Sequence, residues 1–528
     1  MTGLTDVSHV NRESSKPASK SPFFRYSIFT ACAAIYLLPF MRLMLQGTDE
    51  GLLIVGAVRV LNGQVFARDF FEQMGPAAFW WPAVFLKMFG ETFFATRICL
   101  FLTSLGTALL IYALSRKVCA RFSYLPCVLV LGTYFATLWP EISHHVDSNF
   151  FGLLAVGCIV QWQDRHKVYL LPIAGALAAI TTCILQPKGI LLLLAILMWL
   201  GVQRWKNLTS SSSLVLVMSG YASIIGLVIL YFGRQGALSD LFNATFIYNF
   251  QRYASANSVP YGRWLFESYW ARLTTAIGLP FWTIIPLIIL SVPSVLIAAI
   301  PALLALLGVI YRKKLANPTV LLYGLCGMAF WLSEIHRPDI SHLVMGSPIL
   351  IILLVSLITT SRAEWAIGAL KLVAFCGGFL TAANFCLVLI PHTTATRAGP
   401  IVMFAPDPTL AYIEAHIPPG QSIFVYPYNP MYYFLTKTNN PVRYSGLFYN
   451  YNTTAQFQDA IQDLDRHKVS YVVWDTNYVP KIMPKLFPSA KRMPPSQYLM
   501  EPYLESHYEA VWNNNGIVLM KRNPDSLP

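Results

Sequence analysis

Long apolar runs alternate with short polar segments along most of this chain, and the alternation predicts its architecture. Between Phe23 and Ile390, apolar stretches are separated by short loops that carry most of the charge. A run of about 20 apolar residues can cross a bilayer as a helix, which leads us to predict about 11 transmembrane helices. The first is expected over about Phe23–Leu45 and the last over about Ile367–Ile390.

One apolar region does not fit a single crossing. Leu273–Tyr311 is too long for one helix, and the basic run Arg312-Lys313-Lys314 follows it. Because basic loops stay on the cytoplasmic side, an odd number of crossings is required there. We expect one crossing plus a surface or re-entrant helix, broken near Pro280, Pro286 or Pro293. The resulting parity places the N-terminus inside and the C-terminus outside the cytoplasm.

The last quarter of the chain changes character. Its shorter apolar segments and more frequent polar residues predict a small α/β domain with helices, strands and a closing hairpin around Asn515-Gly516. The predicted elements are helices Pro408–His416 and Thr454–Arg466, strands Ser422–Val425 and Val469–Trp474, and hairpin strands Tyr508–Trp512 and Ile517–Lys521. The predicted organisation is a disordered cytoplasmic tail (1–22), a transmembrane domain (23–391) with a first outer loop (46–92), and an extracytoplasmic domain (392–528).

Composition agrees with a polytopic α-helical membrane protein. Of 528 residues, 55% are hydrophobic and only 12% are charged, and the mean hydropathy is +0.51. The net charge of +13 lies mainly in short loops, where it sets topology, so no nucleic-acid partner is expected. The nine cysteines form no CxxC pair, and neither a disulfide framework nor a zinc site follows from them.

The stretch Gly47–Pro76 is the first candidate for chemistry. It contains four acids, Asp49, Glu50, Asp69 and Glu72. Between the two acidic pairs, an apolar segment ended by Asn62-Gly63 predicts a helix that starts at Thr48 or Asp49. This helix is too short to cross a bilayer, so it is expected to lie along the membrane surface. The side-chain oxygen of Thr48 or Asp49 could simply cap this helix. Capping does not exclude catalysis, so both roles stay open.

Other polar residues collect on the same predicted side of the membrane. They are Glu141, His144, His145 and Asp147 in one loop, Gln186 and Lys188 in a second, and Glu334, His336, Arg337, Asp339 and His342 in a third. Ionisable groups at membrane depth are costly and indicate function. Each cluster has an alternative explanation. His144, His145 and Asp147 could form a metal site with Glu141, His336–Asp339 and His342 could form an ion-paired loop that holds two helices in register, and Lys188 could reach the lipid headgroups.

Several motifs are missing from the sequence. The chain contains no Walker A motif, GxGxxG, HExxH or GxSxG. The sequence therefore gives no support for nucleotide hydrolysis, a dinucleotide cofactor, zincin chemistry or a nucleophile elbow, in that order. The two histidines His144 and His145 also lack the spacing of a helical i, i+4 ligand pair. We therefore predict no cofactor and assign no metal.

The first outer loop resembles that of GT-C glycosyltransferases, in particular the aminoarabinose transferase and protein O-mannosyltransferase group. The resemblance rests on the acidic pair after the first span and on RDFFEQMGPAAFWWPAVFLKMFGETFFATR, with Pro76, Trp80-Trp81, Phe89-Gly90 and Arg97 in matching places. LQPKGILLLL matches the group at Lys188-Gly189, and PPGQSIFVYPYNPMYYFLT is similar to tails in this superfamily. Gly75 departs from the double proline that relatives often have.

The resemblance implies a polyprenyl-phosphate sugar donor and transfer with inversion outside the cytoplasm. Asp49 is then the expected general base, with Glu50 second, because an acceptor hydroxyl must lose its proton. Lys188 and Arg337 are the expected contacts of the donor phosphate. Acceptor or sugar contacts are expected from Asp69, Glu72, His144, His145, His336 and His342. The implied acceptor is a lipid, a glycan or a protein, and the implied location is the bacterial inner membrane.

A rival function belongs to another class. A non-catalytic transporter or flippase of lipid-linked sugars would use a similar basic and aromatic groove. Transporters often contain internal repeats and paired broken helices. This sequence has no evident internal repeat, and its acids lie in loops instead of within the spans.

Overall fold

The computed structural model describes residues 22–44, 47–133, 140–263, 284–313, 316–360, 363–388, 392–403, 405–449 and 451–524. Its N-terminal three quarters consist of helices, and the predicted tail 1–22 lies almost entirely outside the described residues. The helices are α1 Pro22–Leu37, α2 Asp49–Leu61, α3 Ala77–Phe89, α4 Phe93–Val118, α5 Leu125–Thr133, α6 His144–Arg165, α7 Leu170–Ile184, α8 Gln186–Trp205, α9 Ser211–Arg234, α10 Ile284–Ile310, α11 Pro318–Glu334, α12 Ile340–Gly346, α13 Pro348–Thr360 and α14 Glu364–Val388. Short helical turns cover Leu238–Phe242, Asn243–Ile247, Asn249–Tyr253 and Ala254–Ala256.

The chain is a multi-pass membrane protein, but its number of crossings is smaller by strict criteria than the sequence suggests. A helix lies at each predicted span. Among the described residues, however, only four helices are long and apolar enough to cross a membrane, or five if α12 and α13, bent by 68°, count as one. Several of the others are shorter apolar helices. Eleven crossings are therefore not confirmed.

The region predicted to hold an extra surface helix is only partly described. Helix α10 runs through Pro293 and Pro301 without ending, so a break at Pro293 was a wrong expectation. Residues 264–283, which include the predicted break near Pro280, lie outside the described part of the chain.

Glycines allow two membrane helices to approach closely. A Cβ atom at Gly220 of α9 would lie 1.9 Å from the carbonyl oxygen of Pro172 in α7, and one at Gly175 of α7 would lie 1.9 Å from the carbonyl oxygen of Val217. Small residues at such crossings let the backbones pack without a side chain between them. These contacts hold α7 and, through it, the start of α8 in place.

The C-terminal region contains the predicted α/β elements. Helices α15 Pro408–His416 and α17 Thr454–Arg466 have the predicted bounds, and the Asn515-Gly516 hairpin is confirmed with slightly longer strands. Strands β3 Ile423–Tyr426, β4 Tyr471–Asp475, β5 Tyr508–Asn514 and β6 Ile517–Arg522 form a sheet in the order β3-β4-β6-β5, in which only β3 and β4 are parallel. The region also contains the antiparallel pair β1 His392–Thr394 and β2 Ile401–Met403 and helices α16 Met431–Leu435 and α18 Met500–His507. Short helical turns cover Tyr478–Ile482, Met483–Leu486 and Pro495–Gln497.

The C-terminal region packs directly on the first outer loop. Backbone hydrogen bonds join Met431 to Gly47 (3.1 Å) and Phe71 to Arg443 (2.9 Å). Buried residues of both parts also form one continuous hydrophobic cluster, from Leu37 to Leu519. This packing brings the loop before α16 to the first turn of α2, where the acidic pair lies.

Candidate active site

The two adjacent acids of α2 have opposite environments. Asp49 is exposed to solvent, and its Oδ1 accepts a hydrogen bond of 2.7 Å from the hydroxyl of Tyr428. Thr48, the residue before the helix, makes no side-chain cap. The helix ends at Leu61, followed by Asn62 and by Gly63 with a φ of +81°, as the sequence predicts. The Asp49 carboxylate is therefore open to solvent.

Glu50 instead forms part of a buried joint between elements. Its side chain is fully buried, forms an ion pair with Arg97 of α4 and accepts a 2.9 Å hydrogen bond from the amide of Ile142. The same guanidinium donates to the carbonyl oxygens of Leu43 (3.1 Å) and Pro140 (2.9 Å). Glu50 and Arg97 thus connect α2, α4 and the segments before α2 and α6, and this environment favours a structural role for Glu50.

The other two acids of the first loop also differ from each other. Asp69 forms an ion pair with its neighbour Arg68 at 2.8 Å and accepts a hydrogen bond from the amide of Val65. Glu72 is buried, and this burial raises its pKa to about 8 although Arg59 opposes the shift and Asp49 adds to it. Glu72 therefore lies within electrostatic range of Asp49, whereas Asp69 serves its own loop.

Lys188 lies at the start of α8 and is completely buried. Its ammonium contacts Asn149 Oδ1 at 2.7 Å and Glu334 Oε1 at 2.7 Å. Glu334, at the end of α11, is also within 2.9 Å of the imidazole Nδ1 of His145. The sequence predicts only that His145, Lys188 and Glu334 lie on one side of the membrane, and the structure brings them into one ion-paired cluster with Asn149.

Asp339 organises the loop between α11 and α12. It caps α12 by accepting from the amide of His342 (3.1 Å) and also contacts the imidazole Nδ1 of His342 (2.8 Å). Its other oxygen accepts from Arg337 Nε at 2.9 Å. Arg337 further donates to the side chain of Asn257 and to the carbonyl oxygen of Leu486 (2.9 Å). The guanidinium thus joins a membrane loop to the C-terminal region.

The remaining predicted histidines border this cluster. The His144 ring lies 4.1 Å from that of His145, and the His336 ring lies 5.7 Å from that of His342. His336 also lies 5.9 Å from the ring of Tyr253. All four histidines are therefore neighbours, although they come from two loops far apart in sequence.

Aromatic side chains fill the space between Asp49 and Arg337, and we call them the aromatic wall: Tyr253, Tyr428, Phe448, Tyr451, Tyr478 and Phe487. Burial raises the pKa of the Tyr253 phenol. The positive charge of Arg337 opposes this rise in pKa, and the negative charge of Asp49 adds to it. Tyr478 also lies within electrostatic range of both groups. Asp49 contacts Tyr428 of this aromatic wall, and the Arg337 guanidinium lies 5.3 Å from the ring centre of Phe487 in the same wall.

The sequence did not reveal most of the aromatic wall. Tyr428 is 379 residues from its partner Asp49, and no local pattern predicts that contact. The only available signal was the segment containing Tyr428, which resembles the tails of a known superfamily. Tyr253 lies in a sequence stretch that is rich in arginine and aromatic residues but contains no motif that singles it out.

Comparisons with known proteins support the fold. No protein-family model and no curated protein sequence matches the chain. Among solved structures, ArnT from Cupriavidus metallidurans bound to undecaprenyl phosphate aligns with a TM-score of 0.56 at 13% identity, over 96% of this chain and 99% of that one. The chain has the ArnT fold. This confirms, for the fold, the resemblance drawn from the sequence.

Two further structures complete the comparison. ArnT from the same organism in the apo state gives the same TM-score of 0.56, over 95% of this chain and 98% of ArnT. Arabinosyltransferase EmbB from Mycobacterium smegmatis gives a TM-score of 0.41 over 72% of this chain and 42% of EmbB. The likeness to ArnT covers the helical part and the C-terminal region together.

Proposed function

We propose that this protein is an integral-membrane inverting glycosyltransferase. It moves a sugar from a polyprenyl-phosphate donor to an acceptor hydroxyl outside the cytoplasm, with Asp49 as the general base. The observation that carries the proposal is the exposed Asp49 carboxylate, which faces the same aromatic wall as the Arg337 guanidinium. The ArnT fold supports it, because one of the ArnT structures holds undecaprenyl phosphate.

The reaction needs one proton acceptor and one anion-binding group. The acceptor oxygen attacks the anomeric carbon and gives its proton to the Asp49 carboxylate, while the bond from that carbon to the phosphate oxygen breaks. The leaving group is the polyprenyl phosphate, and a single displacement inverts the anomeric centre. The hydrogen bond from Tyr428 orients Asp49 for this step.

We assign the donor phosphate to Arg337, although its guanidinium also donates to Asp339, Asn257 and Leu486. Arg337 borders the aromatic wall, with its guanidinium 5.3 Å from the Phe487 ring centre, and a guanidinium can bind phosphate with two hydrogen bonds. Lys188 is enclosed by Asn149 and Glu334, so its role is to hold the Glu334 carboxylate. This role differs from the direct phosphate contact expected from the sequence.

The acceptor and the sugar have fewer assigned contacts. Glu72 lies near Asp49 and is the first-loop acid that we assign to the acceptor. His336 borders Tyr253 and is assigned to the sugar. The chemical nature of the acceptor stays a prediction (a lipid, a glycan or a protein), as does the bacterial inner membrane.

A transfer assay separates this function from that of a transporter or flippase. Purified protein in detergent is incubated with polyprenyl-phosphate sugars and candidate acceptors, and lipid phosphate release and glycosylated product are measured. Asp49→Asn should lower turnover by at least about 100-fold, the scale of general base catalysis, with donor binding retained. A transporter would form no product in either protein.

The matched control is Asp164→Asn. Asp164 forms an exposed ion pair with Lys117 at the other end of α6, so the same substitution there should leave turnover unchanged. Normal turnover by Asp49→Asn would remove Asp49 as the base.

A further inference from the structure

His145, Glu334 and His342 form a compact group with the geometry of a metal site. They come from the start of α6, the end of α11 and the first turn of α12, and one ligand atom from each lies within 4.8 Å of the others. The His145 and His342 rings are 4.9 Å apart at 81° to each other. Three ligands from three different elements thus converge on one point.

The donor types suit a zinc-like cation. Two imidazoles and one carboxylate are the protein ligands of many catalytic zinc sites. Two ligands about 2.1 Å from one ion at a tetrahedral angle are about 3.4 Å apart. The observed distance of 2.9 Å between His145 Nδ1 and Glu334 Oε2 is shorter than that spacing, while the three ligand atoms together lie within 4.8 Å of one another. Side-chain rotations that open the first distance and close the others would admit the ion.

Neighbouring groups orient two of the three ligands. His342 Nδ1 contacts Asp339 at 2.8 Å, which leaves the other ring nitrogen for a cation, and such carboxylate–histidine pairs support bound metals in many proteins. Lys188 holds Glu334 Oε1 at 2.7 Å, so that Oε2 faces His145 Nδ1 at 2.9 Å, on the side where an ion would lie. A carboxylate that orients a histidine, as Asp339 orients His342, is typical of metal sites.

We propose that His145, Glu334 and His342 bind one divalent transition-metal cation such as Zn²⁺. This goes beyond the sequence-based expectation, which assigned no metal. The formal charges of Lys188 and Arg337 cancel those of Glu334 and Asp339. A bound dication would thus leave an excess positive charge in a buried place, which is costly unless an anion joins it.

The anion that fits is a phosphate oxygen of the lipid donor, and this step rests on the proposed function. Three protein ligands leave a coordination position open. Arg337, which we assign to the same phosphate, pairs with the Asp339 that orients His342. The metal and Arg337 would then bind one phosphate from two sides.

Metal content tests the site without any assay of activity. The full-length protein is stripped with chelator, incubated with Zn²⁺, desalted and analysed by mass spectrometry, and Co²⁺ replaces zinc to report tetrahedral coordination by its visible spectrum. We expect one ion per chain. His145→Ala and His342→Ala should abolish tight binding, and Asp339→Asn should weaken it by about 10–100-fold, as for other orienting residues.

Matched controls use the adjacent histidines. His144→Ala and His336→Ala remove rings beside His145 and His342 that are not in the group, so both should keep the ion. Absence of metal from the wild type, or equal metal content in all variants, would overturn the proposal and leave a hydrogen-bonded network. Size-exclusion profiles identify any variant that fails to fold. In that case the Co²⁺ spectrum of the wild type tests the site, because a spectrum without tetrahedral bands would overturn it.

The phosphate contact has its own test. Coupled sites affect each other reciprocally, so polyprenyl phosphate should tighten zinc binding several-fold, and zinc should tighten lipid binding by the same factor. Unchanged zinc affinity would overturn the phosphate contact while the metal site stands. Metal binding with no glycosyl transfer would contradict only the proposed function.

Discussion

At the scale of single residues, neighbours in sequence have different roles because a helix turns them to different sides. Successive residues of an α-helix point about 100° apart. In α2 this rotation leaves Asp49 exposed beside Tyr428, while Glu50 is buried against Arg97. The family resemblance put Asp49 before Glu50 as the expected base, with no observation that separates the two acids. Exposure to solvent is the property that separates them, and it depends on what packs against each face.

Glu72 gives a pH-dependent prediction. Burial raises its pKa in the folded protein to about 8, above the ordinary value of 4.5. The folded state thus holds this proton more tightly, which stabilises it at low pH. That contribution is lost as the pH rises from about 4.5 to about 8, at up to about 1.4 kcal/mol per pH unit. Glu72→Gln should flatten this dependence in thermal unfolding of the detergent-solubilised protein. An unchanged pH slope would contradict the assignment.

At the scale of elements, the first loop is held by polar joints as much as by apolar packing. Arg97 of α4 links four segments through Glu50 and two backbone carbonyls. The sequence placed Arg97 correctly at the opening of a span by resemblance alone. Its partners come from three other segments, and the pattern around Arg97 does not indicate them.

Removing this guanidinium should destabilise the protein strongly. Arg97→Ala leaves the buried Glu50 carboxylate without its cation, which typically costs about 3–5 kcal/mol of unfolding free energy. Thermal or denaturant unfolding in detergent would measure the loss. The added change Glu50→Gln should recover part of it, because no buried charge then remains.

The exposed pair Arg68–Asp69 is the control for that experiment. Its side chains are 41% and 31% exposed, and such surface pairs contribute about 0–1 kcal/mol. Equal effects of Arg68→Ala and Arg97→Ala would contradict the structural role of the Glu50–Arg97 pair.

At the scale of the whole molecule, the C-terminal region completes the candidate site. It supplies Tyr428, Phe448, Tyr451, Tyr478 and Phe487 of the aromatic wall, and Leu486, which accepts from Arg337. The site therefore depends on the packing of this region against the membrane helices. If that face is extracytoplasmic, as the basic loops predict, the chemistry takes place outside the cytoplasm.

Cysteine labelling tests this orientation. Glu509 is exposed on β5, and Arg165 is exposed at the opposite end of α6 from His144. In a Cys32→Ser background, a membrane-impermeant maleimide should label Glu509→Cys in intact cells and Arg165→Cys only after permeabilisation. Most other described cysteines are buried and should react poorly. The reverse labelling pattern would invert the topology and place Asp49 on the cytoplasmic side.

The sequence by itself determined the local structure of this protein. Apolar runs located the membrane helices, turn residues located the C-terminal hairpin, and Gly63 ended α2, because each of these depends on neighbours within a few residues. The predicted count of 11 crossings stays unconfirmed, since helix length and apolar content support four or five crossings within the described ranges.

Only the tertiary structure decided which polar residues meet. It enclosed Lys188 with Glu334, paired Asp49 with Tyr428, and brought His145 to His342. These contacts join residues far apart along the chain, and they follow from how whole helices and the C-terminal region pack. No periodicity or motif encodes such packing, because the free energy that selects it comes from burial summed over many distant residues.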